Sequence, residues 1–366
     1  MSNALPPILI SAAILVAGNG LMVTLIAVRA SLEGFSPAII GGLGTAYFVG
    51  FFGGCLLTAN LIRRAGHIRV FAALAAIAAI AVLMMILVID PWLWIAMRVL
   101  MGFASSGISM VLESWLNELA ENRDRARVLS LYRMIDLGAV TGGQFLIPVI
   151  GAQGFAIFII SAMLFCAALL PVSLSRLSSP APPETKSLWP TVALNLSPVA
   201  CVACLILGLT NGAFRTVGPT YGHEMGLDVD GIALFMSLSI VGGALSQYPL
   251  GWLSDRLDRR LTLIMATAAA AASSTLLFLF GGAGTSLIYL GGFVFGAFAL
   301  PLYSLSSAHA NDRAEPGQYL DLAMGLTLFY ALGAVFGPLL SSIVIARFGA
   351  PSSPTPRSCT LRWSST

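Results

Sequence analysis

The sequence predicts an all-α integral membrane protein built as two pseudo-symmetric helical bundles, six spans in the first and five in the second. Three observations predict it. The 366-residue chain is 57% hydrophobic and 10% charged, whereas an ordinary soluble domain carries about 25% charged residues. Its uncharged runs have the length of a bilayer core, which takes about 20 apolar residues wound as a helix. The second half repeats features of the first at a nearly constant spacing.

The spans follow in order. Ile8–Val28, Ser36–Ile62, Val70–Ile89 and Pro91–Leu112 hold the first four, the last interrupted only by Arg98. Leu137–Ser175 is 39 residues without a charge, enough for two spans, and breaks at Gly151–Gly154. Ser187–Phe214 and Gly231–Ser254 hold the seventh and eighth. Leu261–Asn311 is 51 uncharged residues, again two spans, broken at Gly281–Gly284. Leu322–Ala346 is the eleventh. With the N-terminus in the cytoplasm, 13 of the 19 basic residues fall in cytoplasmic loops, as the positive-inside bias requires. The start, MSNALPP, has no basic region and leads into a 21-residue apolar run, which favours a retained helix over a cleaved signal.

The boundaries expected from this reading are a first bundle over residues 1–174, a Ser/Pro-rich cytoplasmic linker over 175–195 and a second bundle over 196–350. Residues 351–366, with three prolines and five serines, form a non-membrane tail where a twelfth span would fall. The twelfth helix is therefore expected to be missing, as in a truncated or frame-shifted gene.

The internal repeat is carried by several pairs. Gly18–Gly20 (GNG) pairs with Thr210–Gly212 (TNG), and Ala59–Phe71 with Gly251–Leu263, both 192 residues apart. Leu137–Gly143 (LGAVTGG) pairs with Leu332–Pro338 (LGAVFGP) at 195. The stretch GWLSDRLDRRLTL, Gly251–Leu263, concentrates charge between two apolar runs, as a cytoplasmic connector does. In it Gly251, Leu253, Asp255, Arg256, Arg259 and Arg260 match G-x-L-x-D-R-x-G-R-R, with Asp258 in place of the second glycine. The first copy keeps Leu61, Arg64 and Gly66 but has Ala59 and Arg63 at the glycine and aspartate positions. Arg98 and Gly102 read R-x-x-x-G. On these motifs the chain resembles the major facilitator superfamily. Glu113–Asn117 (ESWLN), Tyr132 and Gln144 make it most similar to the YcaD-type bacterial group.

That resemblance implies the MFS fold and a monomeric secondary transporter of the bacterial inner membrane. Such a protein moves a small solute by alternating access, with protons as coupling ion and helices one, four, seven and ten around a cavity. The rivals are a membrane-embedded binding or scaffold protein that does not transport, and an inactive truncated transporter.

Charges within a span cost about 3 kcal/mol or more each, so the few present are informative. Arg98 lies about two turns into the fourth span, and Arg215 in the external half of the seventh. Asn211 is four residues from Arg215 and shares its face; Asn19 is its repeat partner. Asn19, Arg98, Asn211, Arg215 and Tyr303, the counterpart of Glu113, are the cavity candidates. The asparagines could equally serve as interhelical hydrogen-bonding groups. Glu113, Arg133 and Asp136 gather by depth at the cytoplasmic boundary. Glu113 could carry a proton, or close a gate by pairing with Arg133 or Arg64. Gly138/Gly142 and Gly333/Gly337 are spaced for close helix contact. Arg64, Gly66, Gly251, Asp255, Arg256, Arg259 and Arg260 form the loop motif, a topology signal that could also latch the bundles.

Other chemistry finds no support. No phosphate-binding G-x-x-x-x-G-K-[ST] occurs and Lys186 is the sole lysine. His67, His223 and His309 lack metal-ligand spacing, Cys201-x-x-Cys204 lies inside a span, and no hydrolase constellation exists. No enzyme, cofactor, metal or nucleic-acid partner is expected.

Overall fold

The computed structural model describes residues 5–348, apart from 120–124, 176–189, 281–283 and 315–318. Among the described residues the regular elements are all helices, joined by short turns, with no strand. A chain in hydrocarbon must satisfy every backbone group within its own segment, and the helix does so. The first four segments are single rods: α1 (Leu5–Leu32), α2 (Pro37–Ala65), α3 (His67–Leu87) and α4 (Pro91–Leu119). The fifth is α5 (Arg125–Gln144) with the short α6 (Leu146–Ile150), and the sixth is α7 (Ala156–Ala167) with α8 (Leu169–Ser173). A short α9 (Pro190–Leu196) precedes α10 (Pro198–Glu224), α11 (Val229–Arg256) and α12 (Arg259–Phe280). The tenth segment is α13 (Thr285–Ala299) and α14 (Leu302–Asn311), parted at Pro301, and the eleventh is α15 (Tyr319–Phe348).

Ten of these segments are long and apolar enough to cross a membrane, and Met134–Ile150 adds a shorter apolar stretch in the fifth position. Several boundaries differ from the sequence reading, two of them in ways that bear on candidate residues. The fifth helix starts at Arg125 rather than Leu137, because a helix continues through charged residues beyond an apolar run. The seventh runs past Phe214 to Glu224, so Arg215 lies well inside it. The tail over 351–366 lies outside the described residues.

The joints follow local chemistry. Ser36, Ser197 and Asp228 accept a hydrogen bond from the first turn of α2, α10 and α11. Asp258 Oδ1 accepts from the Arg260 and Leu261 amides at 2.7 and 3.2 Å and starts α12. Each satisfies a first-turn donor that has no partner within the helix. Gly66, between α2 and α3, has φ +79°, a conformation that side chains resist.

Close helix contacts occur at glycines, but not all at the expected ones. A Cβ on Gly333 or Gly337 of α15 would strike the carbonyls of Leu205 or Leu209 in α10, so these two helices pack backbone to backbone as their spacing predicts. Gly138 and Gly142 of α5 face open space instead. The close approach there is made by Gly143 against Ala17 of α1, and by Gly20 of α1 against Val140. A G-x-x-x-G spacing fixes a shared stripe; which stripe meets a neighbour depends on the helix's rotation.

The described hydrogen bonds between the two bundles gather toward one end, that of the α1–α2 turn. Thr45 Oγ1 of α2 donates to the Val335 carbonyl of α15 at 2.9 Å. Ser237 Oγ of α11 donates to Gln144 Oε1 of α5 at 3.1 Å, with both side chains buried. These two helix pairs, α2–α15 and α5–α11, are repeat counterparts of one another. The large apolar core extends from the first bundle onto Leu227, Ile232, Phe235 and Met236 at this same end. Toward the opposite end the second bundle has its own clusters, around Cys201, Cys204 and Leu326 and around Leu207, Leu263 and Leu302. The Thr45–Val335 and Ser237–Gln144 bonds both lie in the half nearer the α1–α2 turn.

Candidate functional site: two arginines at the bundle interface

The site is set by how closely α2 and α4 approach. A Cβ on Gly102 would strike the Tyr47 carbonyl, and one on Gly50 the Val99 carbonyl. The two glycines let the backbones touch, which puts Arg98, one turn from Gly102, against the side of α2. Its guanidinium carbon lies 4.5 Å from the centre of the Tyr47 ring. Its Nε donates to the Leu43 carbonyl at 3.3 Å. A desolvated cation over an aromatic face gains about 2 kcal/mol, a partial offset to burying the charge.

Tyr47 also ends a polar relay within the first bundle. Its hydroxyl donates to Ser105 Oγ at 2.9 Å. Asn19 Nδ2 donates to the same Ser105 oxygen at 3.2 Å and reaches the Tyr47 hydroxyl at 3.4 Å. The relay joins α1, α2 and α4 at mid-depth.

Beyond Tyr47 is a cavity between the bundles. It is lined by Val23, Ile26 and Ala27 of α1, Ile40, Leu43, Gly44, Tyr47 and Phe48 of α2, Arg98 of α4, and Arg215 and Thr216 of α10. Its free space is about 20 Å³, enough for a water molecule and too little for an organic solute. No carboxylate lines it. Arg98 is 6% exposed, and its Nη1 is buried without a hydrogen-bond partner. Arg215 is half-buried and lies near enough to Arg98 for the two charges to repel.

Of the cavity candidates, the structure brings Arg98 and Arg215 to one cavity and Asn19 to the adjoining relay. Asn211 is half-buried and makes no hydrogen bond among the described residues; it does not line the cavity. Tyr303 belongs elsewhere: its hydroxyl is 3.0 Å from Thr327 Oγ1 and its ring packs on Tyr330, inside the second bundle. Tyr47, Ser105 and Thr216 were not expected. Tyr47 could have been found as an isolated phenol in an apolar span; a serine or threonine in such a span gives no comparable signal, because it also back-bonds to its own helix.

At the opposite end, Glu113 of α4 is exposed and close enough to Cys55 of α2 to act on it electrostatically. Asp136 is half-buried on α5, and the Arg133 side chain lies outside the described residues. In the loop motif, Arg64 is exposed and the Asp255 side chain is outside the described residues. Arg256 lies over the Trp252 ring at 4.0 Å. Arg259 Nε pairs with Asp312 at 2.6 Å and ties the start of α12 to the end of α14. Arg260 is exposed, and Gly251 faces open space. The Arg256–Trp252 and Arg259–Asp312 contacts both lie within the second bundle.

Comparison with known proteins agrees with this architecture. The sequence profile of the Major Facilitator Superfamily matches residues 8–221 and again 200–364. An uncharacterized MFS-type transporter of Enterobacter sp. (strain 638) is 25% identical over 311 residues, 84% of this chain and 80% of that one. The uncharacterized MFS-type transporter YcaD of Shigella flexneri serotype 5b is 26% identical over 327 residues, 89% and 84% of the two chains. Among solved structures, the nucleoside transporter NupG superposes with a TM-score of 0.78 at 17% identity, covering 95% of this chain and 92% of its own. A bacterial homolog of the human lysosomal transporter Spinster, inward-facing and occupied, gives 0.77 at 12% identity, covering 94% and 82%. The repeated bundles, the cavity between them and a profile match spanning both halves lead to one conclusion: this chain is a multi-pass membrane protein and belongs to the Major Facilitator Superfamily of transporters.

Proposed function

We propose that the chain is a secondary active transporter of the bacterial inner membrane that moves a small solute by alternating access, with its N-terminus in the cytoplasm. The observation that carries this reading is the contact between the bundles at the α1–α2 end. Thr45, whose hydroxyl reaches Val335, lies between Gly44 and Tyr47, which line a cavity with two arginines, and Gln144–Ser237 closes the counterpart seam at the same end. The distribution of basic residues makes that end external, so this conformation is closed outward. Transport requires the same two surfaces to part while the other end closes.

Proton coupling is assigned to Glu113, an exposed carboxylate on the helix that also carries Arg98. The chain acts as a monomer, with solute and lipid as its partners. Proteoliposomes holding the purified full chain test the reading. Solute accumulation driven by an imposed pH gradient is the expected result. Saturable binding with no flux under any gradient would make the protein a membrane receptor instead.

A further inference from the structure

Two guanidinium groups share one cavity with no anion to balance them. Arg98 comes from α4 of the first bundle and Arg215 from α10 of the second, and both line the same space. Among the described residues neither makes an ion pair, and no Asp or Glu lines the cavity. Arg98 is more than nine-tenths buried, and its Nη1 has no acceptor. A buried charge ordinarily pairs or neutralises, and the guanidinium keeps its proton in proteins. What remains is an acceptor supplied from outside the chain. The rest of the lining is aliphatic or aromatic, with the Tyr47 and Thr216 hydroxyls as its neutral polar groups.

We propose that Arg98 and Arg215 together hold the oxyanion of an amphipathic organic acid, a carboxylate or phosphate attached to a small apolar body, as the transported solute. This rests on the transport reading above and names its substrate class. A planar guanidinium donates two parallel hydrogen bonds to a carboxylate or phosphate, and two of them from different bundles bracket one anion. The anion removes the repulsion between the arginines and bridges the bundles, so bound and empty forms differ in how readily the cavity closes. A neutral solute leaves both charges unbalanced and gains nothing from their proximity. The apolar body occupies the space lined by Ile26, Ile40, Leu43 and Phe48 after the cavity widens beyond its present volume.

The test uses the purified full chain in detergent without phosphate, with its thermal unfolding midpoint as readout. Probes of one size are compared: benzoate, phenyl phosphate, benzyl alcohol and benzylamine, with inorganic phosphate alone as the bare ion. Saturable stabilisation by benzoate or phenyl phosphate, and none by the alcohol or amine, is expected; whichever anion binds tighter separates carboxylate from phosphate chemistry. Arg215→Gln, at a half-buried position, weakens that binding by about tenfold to about a hundredfold, and Arg215→Lys restores part of it. Equal stabilisation by the alcohol or amine, tighter binding of the bare ion than of either aromatic anion, wild-type affinity in Arg215→Gln, or no stabilisation by any probe overturns the assignment. Flux measurements keep the two readings apart. Anion binding without anion flux leaves the site and removes transport; flux of a neutral solute that Arg215→Gln does not change leaves transport and removes the anion site.

Discussion

Thr45 of α2 and Val335 of α15, residues from different bundles, are joined by a hydrogen bond of 2.9 Å from hydroxyl to carbonyl. At the preceding residue, a Cβ on Gly44 would come within 2.8 Å of Thr216 Cγ2 and 2.9 Å of Pro338 Cβ. Small residues at this contact are what let the bundles shut. Gly44→Val should therefore hold the α1–α2 end apart. A cysteine at Thr216 is expected to react faster with an external membrane-impermeant thiol reagent in that background; an unchanged labelling rate would mean that the glycine does not govern closure.

Tyr47 serves two neighbours, Arg98 through its ring and Ser105 through its hydroxyl. Tyr47→Phe separates the two, since the ring stays and the hydroxyl goes. The part-buried Asn19–Ser105 pair keeps one hydrogen bond of its own, so stability should fall by only about 1 kcal/mol. Tyr47→Ala removes the ring as well and should cost several-fold more, with Arg98 left only its bond to the Leu43 carbonyl. Similar unfolding midpoints for the two variants would argue against the cation–ring contact.

Gly102 has no room for a side chain against the Tyr47 carbonyl. Gly102→Val forces α2 and α4 apart and should destabilise the first bundle by about 1–3 kcal/mol, the usual range for overpacking. Gly138→Val, at a position facing open space, should be close to neutral. The pair of unfolding midpoints checks which glycines are contact glycines.

Proton coupling through Glu113 has a specific signature. Glu113→Gln fixes the side chain in its neutral form, so solute uptake should lose its dependence on an imposed pH gradient, while exchange of labelled for unlabelled solute across the membrane persists. A gradient response kept in full by the variant would move the coupling to another group.

At the connector between α11 and α12, the charges divide their work. The Arg259–Asp312 pair is partly exposed, with side-chain exposures of 29% and 51%, so Asp312→Asn should cost less than about 1 kcal/mol. Asp258 caps α12 through two amides, and Asp258→Ala should cost about 0.5–2 kcal/mol. Chemical denaturation in detergent ranks the two; the reverse order would make the ion pair the main fastening.

The sequence by itself determined that the chain is a multi-pass bundle of membrane helices, and it located most of the apolar runs. Lipid leaves an apolar run of about 20 residues no other way to satisfy its backbone, so Ile8–Val28 or Pro91–Leu112 could be read without a partner in view. It also singled out Arg98 and Arg215, because a charge inside such a run is too costly to be incidental. Only the tertiary structure decided that these two residues, 117 positions apart, share one cavity, and that Tyr303 does not join them. It also decided that Gly143 rather than Gly138 meets α1, and that Thr45–Val335 and Gln144–Ser237 join the bundles at one end. The physical reason is the same in each case. A membrane helix is apolar on its lipid-facing and buried sides alike, so its pattern does not report its rotation; that is fixed by where backbones can approach, at Gly50 and Gly102 or Gly333 and Gly337.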